Sequence, residues 1–150
     1  MSDIKRGAFA ELEGAAVFAI ARLRQSVFVV EQECLYPDLD HFDTDPATVH
    51  FWVEGAEATE AVACLRVLAD GDGWIIGRVC AALSVRGTGL SARLMAAAME
   101  SLGPEADVTL GAQTYAAGFY RKFGFAEHGE EYLEDGIMHV PMRRIGAKAA

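Results

Sequence analysis

Basic residues are scarce in this chain. Its 150 residues include 13 Lys and Arg against 22 Asp and Glu, so the formal net charge is -9 at pH 7. Nucleic acids and anionic membranes bind basic surfaces, and this balance argues against both as partners. An acidic protein is better suited to a cationic substrate.

Cysteine and long apolar runs are scarce as well. The three cysteines, Cys34, Cys64 and Cys80, are odd in number and lack CxxC spacing. Cys64 and Cys80 fall within apolar, strand-like runs, where we expect buried and inert thiols. No apolar run reaches the roughly 18–20 residues that cross a bilayer, and the first residues show no signal-peptide pattern. We therefore expect a cytoplasmic protein with no membrane partner.

The chain still contains enough apolar residues for an ordinary globular domain. Hydrophobic residues make up 52% and charged residues 23% of the sequence, which excludes a disordered or fibrous protein. The length is that of one domain with a full core. We expect a single domain over residues 1–150 that ends in a loose tail at 145–150.

The apolar pattern predicts strands that first follow one another and then alternate with helices. Residues 27–30 are ambiguous, because they fit either a strand or the turn into a second helix. The other apolar segments predict strands at 5–9, 49–54, 61–68, 74–81, 108–110, 125–127 and 138–142. They predict helices at 12–24, 90–102 and 116–122. This order is typical of an α/β protein with a mixed sheet.

A glycine-rich loop lies between a predicted strand and the helix at 90–102, and reads Val85-Arg86-Gly87-Thr88-Gly89-Leu90-Ser91. Gly87 and Gly89 let the backbone turn tightly and bring its N–H groups close to a ligand. The first amides of a helix have no internal partners and carry partial positive charge. With the permanent cation of Arg86 beside them, they suit a pyrophosphate. The sequence therefore predicts a site for a phosphorylated cofactor.

The same loop has two other interpretations. Residues 87–92 satisfy the dinucleotide fingerprint G-x-G-x-x-A, which needs a βαβαβ array and an acidic residue at the end of the next strand. Too little chain remains for that array, and residues 109–113 contain no carboxylate. A purely structural glycine turn stays open on the loop alone.

A second motif helps to decide between these interpretations of the glycine loop. Residues 118–125 read Gly-Phe-Tyr-Arg-Lys-Phe-Gly-Phe, so that a short helix ends at a glycine and leads into a strand. Phe119, Phe123 and Phe125 are explained as core aromatics. Tyr120 lies between them in the sequence and is either a core residue or a functional one.

The two motifs together resemble the GNAT superfamily of acyl-CoA-dependent N-acyltransferases. Residues 86–91, R-G-x-G-x-S, are similar to its R/Q-x-x-G-x-G/A loop, with Ser91 where Gly or Ala is usual. Residues 119–125, F-Y-x-x-F-G-F, are similar to its C-terminal cofactor motif. Four further segments are similar to the ElaA-like branch and read L-R-x-x-V-F-V-V-E-Q-x-C (23–34), I-G-R-V (76–79), L-G-A-Q (110–113) and E-D-G-I-x-H (134–139).

The resemblance implies the GNAT fold, in which helices flank a central, mostly antiparallel sheet. It implies acetyl-CoA as co-substrate and no metal. The pantetheine arm would run where two strands splay apart, beside Val79, Cys80 and Ala81, and a free backbone N–H there would polarise the thioester carbonyl. The pyrophosphate would be held by the loop residues Arg86, Gly87, Thr88, Gly89, Leu90, Ser91 and Ala92.

The resemblance also gives Tyr120 a role. A phenol near the sulfur can protonate the departing thiolate, which makes Tyr120 the expected catalytic acid. The family often has an asparagine shortly before this tyrosine that contacts the cofactor, and Gly118 stands there in this chain. Cys80 lies near the expected thioester, but no base is placed to activate it, so we expect it to be structural.

The acceptor amine must lose a proton, and the candidates for taking it are Glu31, His139 and a water chain. The branch places Glu31 and Gln32 near the acceptor and His139 on a strand beside it. Glu31 also fits a turn cap, and His139 also fits a hydrogen-bonded core histidine. We expect Glu31 to contact the substrate and leave the base open.

An acidic, turn-rich segment invites a metal interpretation. Its four carboxylates and two histidines are Asp38, Asp40, Asp43, Asp45, His41 and the following His50. Their spacing is not that of an EF-hand loop. We expect a solvated acidic loop, whose charge could attract a cationic amine.

The resemblance implies an N-acyltransferase that moves an acetyl group from acetyl-CoA directly to a small-molecule or peptide amine in a ternary complex. GNAT proteins are often dimers, so a homodimer is an expected assembly. A rival from another class is a non-catalytic acyl-CoA-binding sensor or interaction module, which would keep the glycine loop and need no acid. The presence of Tyr120 favours the enzyme.

Overall fold

The computed structural model describes residues 3–147. Within them, eight strands and three α-helices follow one another along the chain. The strands are β1 (Ile4–Gly7), β2 (Val49–Glu54), β3 (Ala61–Asp70), β4 (Gly73–Ala81), β5 (Val108–Gln113), β6 (Ala126–Glu127), β7 (Tyr132–Glu134) and β8 (Ile137–Arg144). The α-helices are α1 (Gly14–Arg24), α2 (Leu90–Leu102) and α3 (Ala117–Arg121).

Short helical turns complete the secondary structure. The helix α1 continues directly into a wider π-helical turn, Gln25–Glu31, so residues 27–30 are helical and not a strand. Turns of 3-10 helix occupy Phe9–Glu11, His41–Thr44, Leu83–Val85 and Thr114–Ala116. No helix among residues 3–147 combines the length and the apolar composition that crossing a membrane requires.

One sheet contains all of these strands, in the order β1-β2-β3-β4-β5-β8-β6, with β7 also paired to β8. Every neighbouring pair is antiparallel except β4 with β5. Helices pack on both faces of this sheet. The predicted architecture, a mixed and mostly antiparallel sheet flanked by helices, is confirmed.

The parallel contact between β4 and β5 is short. The strands pair at Trp74 with Val108 and at Ile75 with Thr109, and no pairing of the two continues beyond these positions in the described chain. Meanwhile β3 continues along β4, and β8 continues along β5. The two strands therefore separate toward their C-terminal ends and open a cleft in the middle of the sheet.

Two apolar cores lie on opposite faces of the sheet. On one face, Leu94 and Met95 of α2 are fully buried in the same core as Leu65 of β3. On the other face, Ala19 of α1 packs in the core that contains Cys64. Leu65 and Cys64 belong to opposite cores because successive side chains of a strand alternate between its two faces. The strands beside the cleft are thus held by packing on both sides.

Most predicted elements are confirmed, with some ends displaced. The strand at 49–54 and the helix at 90–102 have the predicted bounds. The first helix begins at Gly14 and the first strand ends at Gly7, since Phe9 belongs to a 3-10 turn. The strand β7 was not predicted, because three exposed residues carry too little pattern to reveal a strand that exists through its pairing with β8.

The expected loose tail is wrong for the residues that the structure describes. The N–H of Gly146 donates to Asp107 Oδ1 at 2.7 Å, and the N–H of Ala147 donates to the Pro104 carbonyl at 2.8 Å. These bonds hold the chain to the loop that follows α2. Residues 148–150 lie outside the described part of the chain.

Candidate active site

The cleft between β4 and β5 forms a cavity of about 490 Å³. Its walls come from both strands, the π-helical turn, α3 and the hairpin of β7 with β8. The separation of two strands beside residues 79–81, which the family resemblance implies, is present. The predicted site residues that line this cavity are Glu31, Val79, Cys80, Ala81, Arg86, Tyr120 and His139.

A β-bulge interrupts the pairing of β3 with β4 beside this cleft. Cys64 pairs with Cys80 and Arg66 pairs with Gly77, so β4 carries one extra residue between these positions. Arg78 lies in the bulge with a φ of 53°, a left-handed conformation that is unfavourable for residues other than glycine. A bulge leaves backbone groups outside the ladder, so they are available to a ligand in the cleft.

After the bulge, the backbone of Ala81 faces the cleft. The N–H of Ala82 donates to the Val62 carbonyl of β3 at 2.8 Å. Because backbone groups alternate between the two edges of a strand, the polar groups of Ala81 point away from β3. Nε of Arg86 donates to the Ala81 carbonyl on that side at 3.1 Å. An extended ligand in the cleft can therefore pair with β4 as an added strand would.

The glycine loop leads from this edge to α2 in a conformation that requires glycine. Gly87 has a φ of 81° and Gly89 a φ of 84°, values that other residues rarely adopt. The space around both glycines is open, and no side chain caps the N-terminus of α2. The first amides of α2 are thus available to an anion. Residues 87–92 do not line the cavity but directly follow Arg86, which does.

Arg86 forms a two-point ion pair with Glu31. Nη1 lies 2.6 Å from Oε2 and Nη2 lies 2.7 Å from Oε1. The hydrogen bond from Arg86 holds the pKa of Glu31 below its ordinary value, so the carboxylate is charged at neutral pH. The structure therefore places the predicted substrate contact, Glu31, directly against the glycine loop.

Tyr120 is held in α3 by aromatic packing. Its ring makes edge contacts with Phe119 at 5.1 Å and with Phe125 at 6.4 Å between centroids, and the residue is 9% exposed. Burial raises the pKa of Tyr120 above its ordinary value. Tyr120 thus belongs to the core and also lines the cavity, where its phenol is protonated at neutral pH.

Gly118, which stands where the family often has asparagine, lies two residues before Tyr120, on the exposed side of α3. A Cβ there would meet only Arg121 Nη1, at 3.8 Å. That is an ordinary van der Waals contact, so the position has room for a side chain. The absence of asparagine is therefore not a consequence of packing.

His139 lines the same cavity from β8. Its Nδ1 lies 2.8 Å from the Ile137 carbonyl, and its ring stacks on that of Tyr132. The structure thus brings Glu31, Tyr120 and His139 to one cavity. Tyr132 was missed in the sequence, because β7 is too short to be recognised and the residue has no motif of its own.

The prediction of a solvated acidic loop is wrong for three of its four carboxylates, since only Asp45 is exposed. Asp38 is only 6% exposed, and Arg24 donates from Nε to its Oδ2 at 2.8 Å. Arg24 also donates from Nη1 to Asp43 Oδ1 at 2.6 Å. Three arginines and three aspartates form a single ion network, which consists of Arg24, Arg66, Arg78, Asp38, Asp40 and Asp43.

This ion network is neutral and partly buried, so its aspartates are not a free anionic surface for an amine. Burial alone would raise the pKa of Asp43, but hydrogen bonds, above all from Arg24, lower it to about 2. A signal for the network was present in the sequence. Arg24 and Arg66 stand within an apolar helix and an apolar strand, and a buried cation needs a buried anion.

The metal interpretation of the acidic segment finds no support in the geometry. Among residues 3–147, no three His, Cys, Asp or Glu side chains are grouped so that they could hold a metal ion. His50 instead directs Nε2 to the Asp43 carbonyl at 2.9 Å. The polar side chains of this segment therefore stabilise the fold through hydrogen bonds and ion pairs.

Cys64 and Cys80 are buried, as expected. Their Sγ atoms lie 3.6 Å apart on directly opposed positions of β3 and β4. The hydrogen bond with Cys64, together with burial, raises the pKa of Cys80 well above its ordinary value. Cys80 is therefore a neutral thiol, the less reactive form.

Comparison with known protein sequences agrees with these features. The family model described as acetyltransferase (GNAT) domain matches residues 27–145. The UPF0039 protein Rv2851c of Mycobacterium tuberculosis is 40% identical over 141 residues, which are 91% of this chain and 89% of that one. Protein ElaA of Escherichia coli is 38% identical over 140 residues, which are 89% of this chain and 90% of that one.

Solved structures extend the similarity to three dimensions. The crystal structure of an acyl-CoA N-acyltransferase from Pseudomonas aeruginosa is similar with a TM-score of 0.88 and 34% identity, covering 96% of this chain and 99% of that one. The crystal structure of Escherichia coli ElaA is similar with a TM-score of 0.87 and 35% identity, with the same coverage of 96% and 99%. The likeness extends over nearly the whole of each chain.

Proposed function

This chain belongs to the GNAT acetyltransferase family, in the branch that contains ElaA, and we propose that it transfers an acetyl group from acetyl-CoA to an amine. The amine nitrogen attacks the thioester carbonyl in a ternary complex, the C–S bond breaks, and the nitrogen loses a proton. The observation that supports this most is the cleft between β4 and β5, which has the glycine loop at its end and Tyr120 in its wall.

The cofactor would bind along the open edge of β4. The amides of residues 86–92 would hold the pyrophosphate, because the helix N-terminus is uncapped and both glycines leave the loop surface open. The pantetheine arm would pair with the backbone beside Val79, Cys80 and Ala81. An N–H freed by the bulge at Arg78 would stabilise the oxyanion of the tetrahedral intermediate.

Tyr120 would supply the proton that the departing thiolate takes up. Its phenol carries a proton at neutral pH, as a tyrosine of ordinary pKa does, and its packing against Phe119 and Phe125 fixes the direction of the ring. A positioned acid of this kind contributes about 100-fold or more to the rate. Glu31, already charged through Arg86, would contact the ammonium form of the acceptor rather than take its proton.

We place the reaction in the cytoplasm and in a single domain. Cys34, Cys64 and Cys80 are all buried free thiols, which suits a reducing compartment. The acceptor would be a small-molecule or peptide amine.

The proposal is tested by the release of free CoA thiol from acetyl-CoA with spermidine, phenethylamine and a short peptide with a free N-terminus. We expect release with at least one amine, and a fall in kcat of about 100-fold or more in Tyr120→Phe with the acetyl-CoA Kd unchanged. A protein that binds acetyl-CoA, releases no thiol and is indifferent to this substitution is the non-catalytic sensor instead.

A further inference from the structure

A row of side chains crosses three strands at the acceptor end of the cavity. His139 of β8 is directly opposed by Gln113 of β5 on one side and by Tyr132 of β7 on the other. Directly opposed residues of antiparallel strands point to the same face of a sheet. All three side chains line the cavity.

The hydrogen bond of His139 fixes which ring nitrogen carries the proton. Its Nδ1 lies 2.8 Å from the Ile137 carbonyl. A carbonyl oxygen only accepts, so Nδ1 must donate, and in the neutral ring Nε2 then keeps a free lone pair. The His139 side chain is 12% exposed, and it lines the cavity. This is the tautomer that a general base needs.

Tyr132 fixes the plane of the imidazole, and Gly111 makes this arrangement fit. The rings of Tyr132 and His139 are stacked, with 5.4 Å between centroids and 19° between planes. The Tyr132 ring reaches across β8 to β5, where a Cβ on Gly111 would collide with its hydroxyl oxygen. The colliding atom is the hydroxyl alone, since the ring carbon that carries it would lie 3.6 Å from that Cβ.

A carboxylate stands beside the free nitrogen. Glu134 Oε2 lies 3.9 Å from His139 Nε2, although the Glu134 side chain is 61% exposed and its contact with the ring is weak. The nearby cations Arg66 and Arg78 are paired with aspartates of the ion network. The other titratable side chains of the cavity wall are Glu31, Cys34, Tyr36, Cys80, Arg86, Tyr115, Tyr120 and Asp135.

From this arrangement we infer that His139 is the general base, and that Tyr132, Gly111 and Glu134 are its positioning residues. The inference rests on the proposed function. The ammonium form of the acceptor first loses one proton to solvent. As the neutral amine nitrogen then bonds to the thioester carbon and the C–S bond breaks, a proton of the nitrogen passes to Nε2 of His139, while the proton of Tyr120 passes to the departing sulfur. Solvent then returns one proton from the imidazolium to the phenolate, so the enzyme ends as it began.

Glu31 is the weaker candidate for this proton. Its carboxylate is held by Arg86, and its pKa is lowered, so it accepts a proton poorly at neutral pH. His139 carries no cation on its free nitrogen. The E-D-G-I-x-H and L-G-A-Q segments are thereby explained together, since they contribute Glu134, His139 and Gly111.

Kinetics of His139→Gln test the base directly. At saturating amine we expect kcat to fall about 100-fold and to lose the pH dependence that an essential base gives, with the acetyl-CoA Kd unchanged. His128→Gln is the matched control, because His128 is exposed and lies outside the cavity wall. An active His139→Gln variant with the wild-type pH profile overturns the inference.

Two further measurements do not depend on that variant. Long-range ¹H–¹⁵N spectra of the wild-type protein should show the Nδ1–H tautomer of His139, and an Nε2–H tautomer overturns the inference. Gly111→Ala should lower kcat about tenfold, and adding Tyr132→Phe, which removes the colliding hydroxyl, should restore most of it. A Gly111→Ala defect that Tyr132→Phe leaves unchanged contradicts the positioning role.

The failures of the two proposals are distinguishable. Wild-type protein that releases no thiol with any of the three amines overturns the proposed function, and the base role with it. Wild-type activity that survives His139→Gln overturns only the base role.

Discussion

The carboxylate of Glu31 and the guanidinium of Arg86 are joined by two hydrogen bonds, of 2.6 and 2.7 Å, across 55 residues of sequence. This pair connects the π-helical turn after α1 with the glycine loop. Arg86 cannot give the same donors both to Glu31 and to a pyrophosphate. If the pyrophosphate binds the loop as proposed, Glu31 would compete with the cofactor for Arg86.

We predict that Glu31→Gln binds acetyl-CoA more tightly, because Arg86 is then free to face the pyrophosphate. An exposed ion pair contributes roughly 0.2–1 kcal/mol, so we expect the Kd to fall by a factor of about two to five. The KM for the amine should rise, since Glu31 would contact the ammonium group. Titration calorimetry and steady-state kinetics measure the two effects.

Glu127→Gln is the control for this prediction, because Glu127 forms a similar exposed pair with Arg121 outside the cavity. It should leave both constants unchanged. An acetyl-CoA Kd that rises in Glu31→Gln would show that the Glu31–Arg86 pair helps to build the cofactor site instead of competing with it.

The ion network predicts a large loss of stability in Asp43→Asn. This substitution removes one anion from between Arg24 and Arg66, which leaves partly buried cations without full compensation. We expect the free energy of unfolding to fall by about 3 kcal/mol, measured by urea denaturation at pH 7. Asp3→Asn, at an exposed position, should change it by less than about 0.5 kcal/mol. Equal effects of the two substitutions would contradict the account of the network.

The lowered pKa of Asp43 also predicts how stability depends on pH. Its pKa is about 2 in the folded protein against an ordinary value of 3.8, so the unfolded chain binds more protons between these values. Its contribution is therefore complete above about pH 4 to 5 and is lost as pH falls toward 2. The difference in urea midpoint between wild type and Asp43→Asn should shrink from pH 5 to pH 3. A constant difference would mean that Asp43 acts through its shape and not its charge.

We predict that a substitution at Gly118 increases the affinity for acetyl-CoA. An asparagine fits at this position, since a Cβ there meets only Arg121 at 3.8 Å, and its amide would restore a cofactor contact that the family often has. We expect Gly118→Asn to lower the acetyl-CoA Kd several-fold, measured by calorimetry. Gly118→Ala is the control: it should raise the free energy of unfolding by up to about 1 kcal/mol through helix propensity without changing the Kd. The same Kd in both variants would exclude the contact.

Local patterns were enough to predict the parts of the site that one segment builds. The helix at 90–102 and the loop before it were predicted correctly. The left-handed conformations of Gly87 and Gly89 and the apolar stripe of α2 each depend on residues that are close together in the sequence. The separation of β4 from β5 was implied only by the family resemblance. No local pattern encodes where two strands stop pairing.

Contacts between distant segments were the part that the sequence did not reveal. The ion network joins Asp38, Asp40 and Asp43 to arginines on α1, β3 and β4, and the acidic residues taken alone look solvated. The positioning of His139 depends on Tyr132 reaching across β8 to Gly111. The partners of the ion network are brought together by the packing of a loop against α1, β3 and β4, and those of His139 by strand register. Both are properties of the folded chain.

The central claim is that the cleft and the glycine loop bind acetyl-CoA, and parallel calorimetric titrations with acetyl-CoA and with NADPH test it most directly. We predict one-site binding of acetyl-CoA and no heat of binding with NADPH. Folded protein that does not bind acetyl-CoA would contradict the claim and leave the loop as a structural turn or a site for another anion.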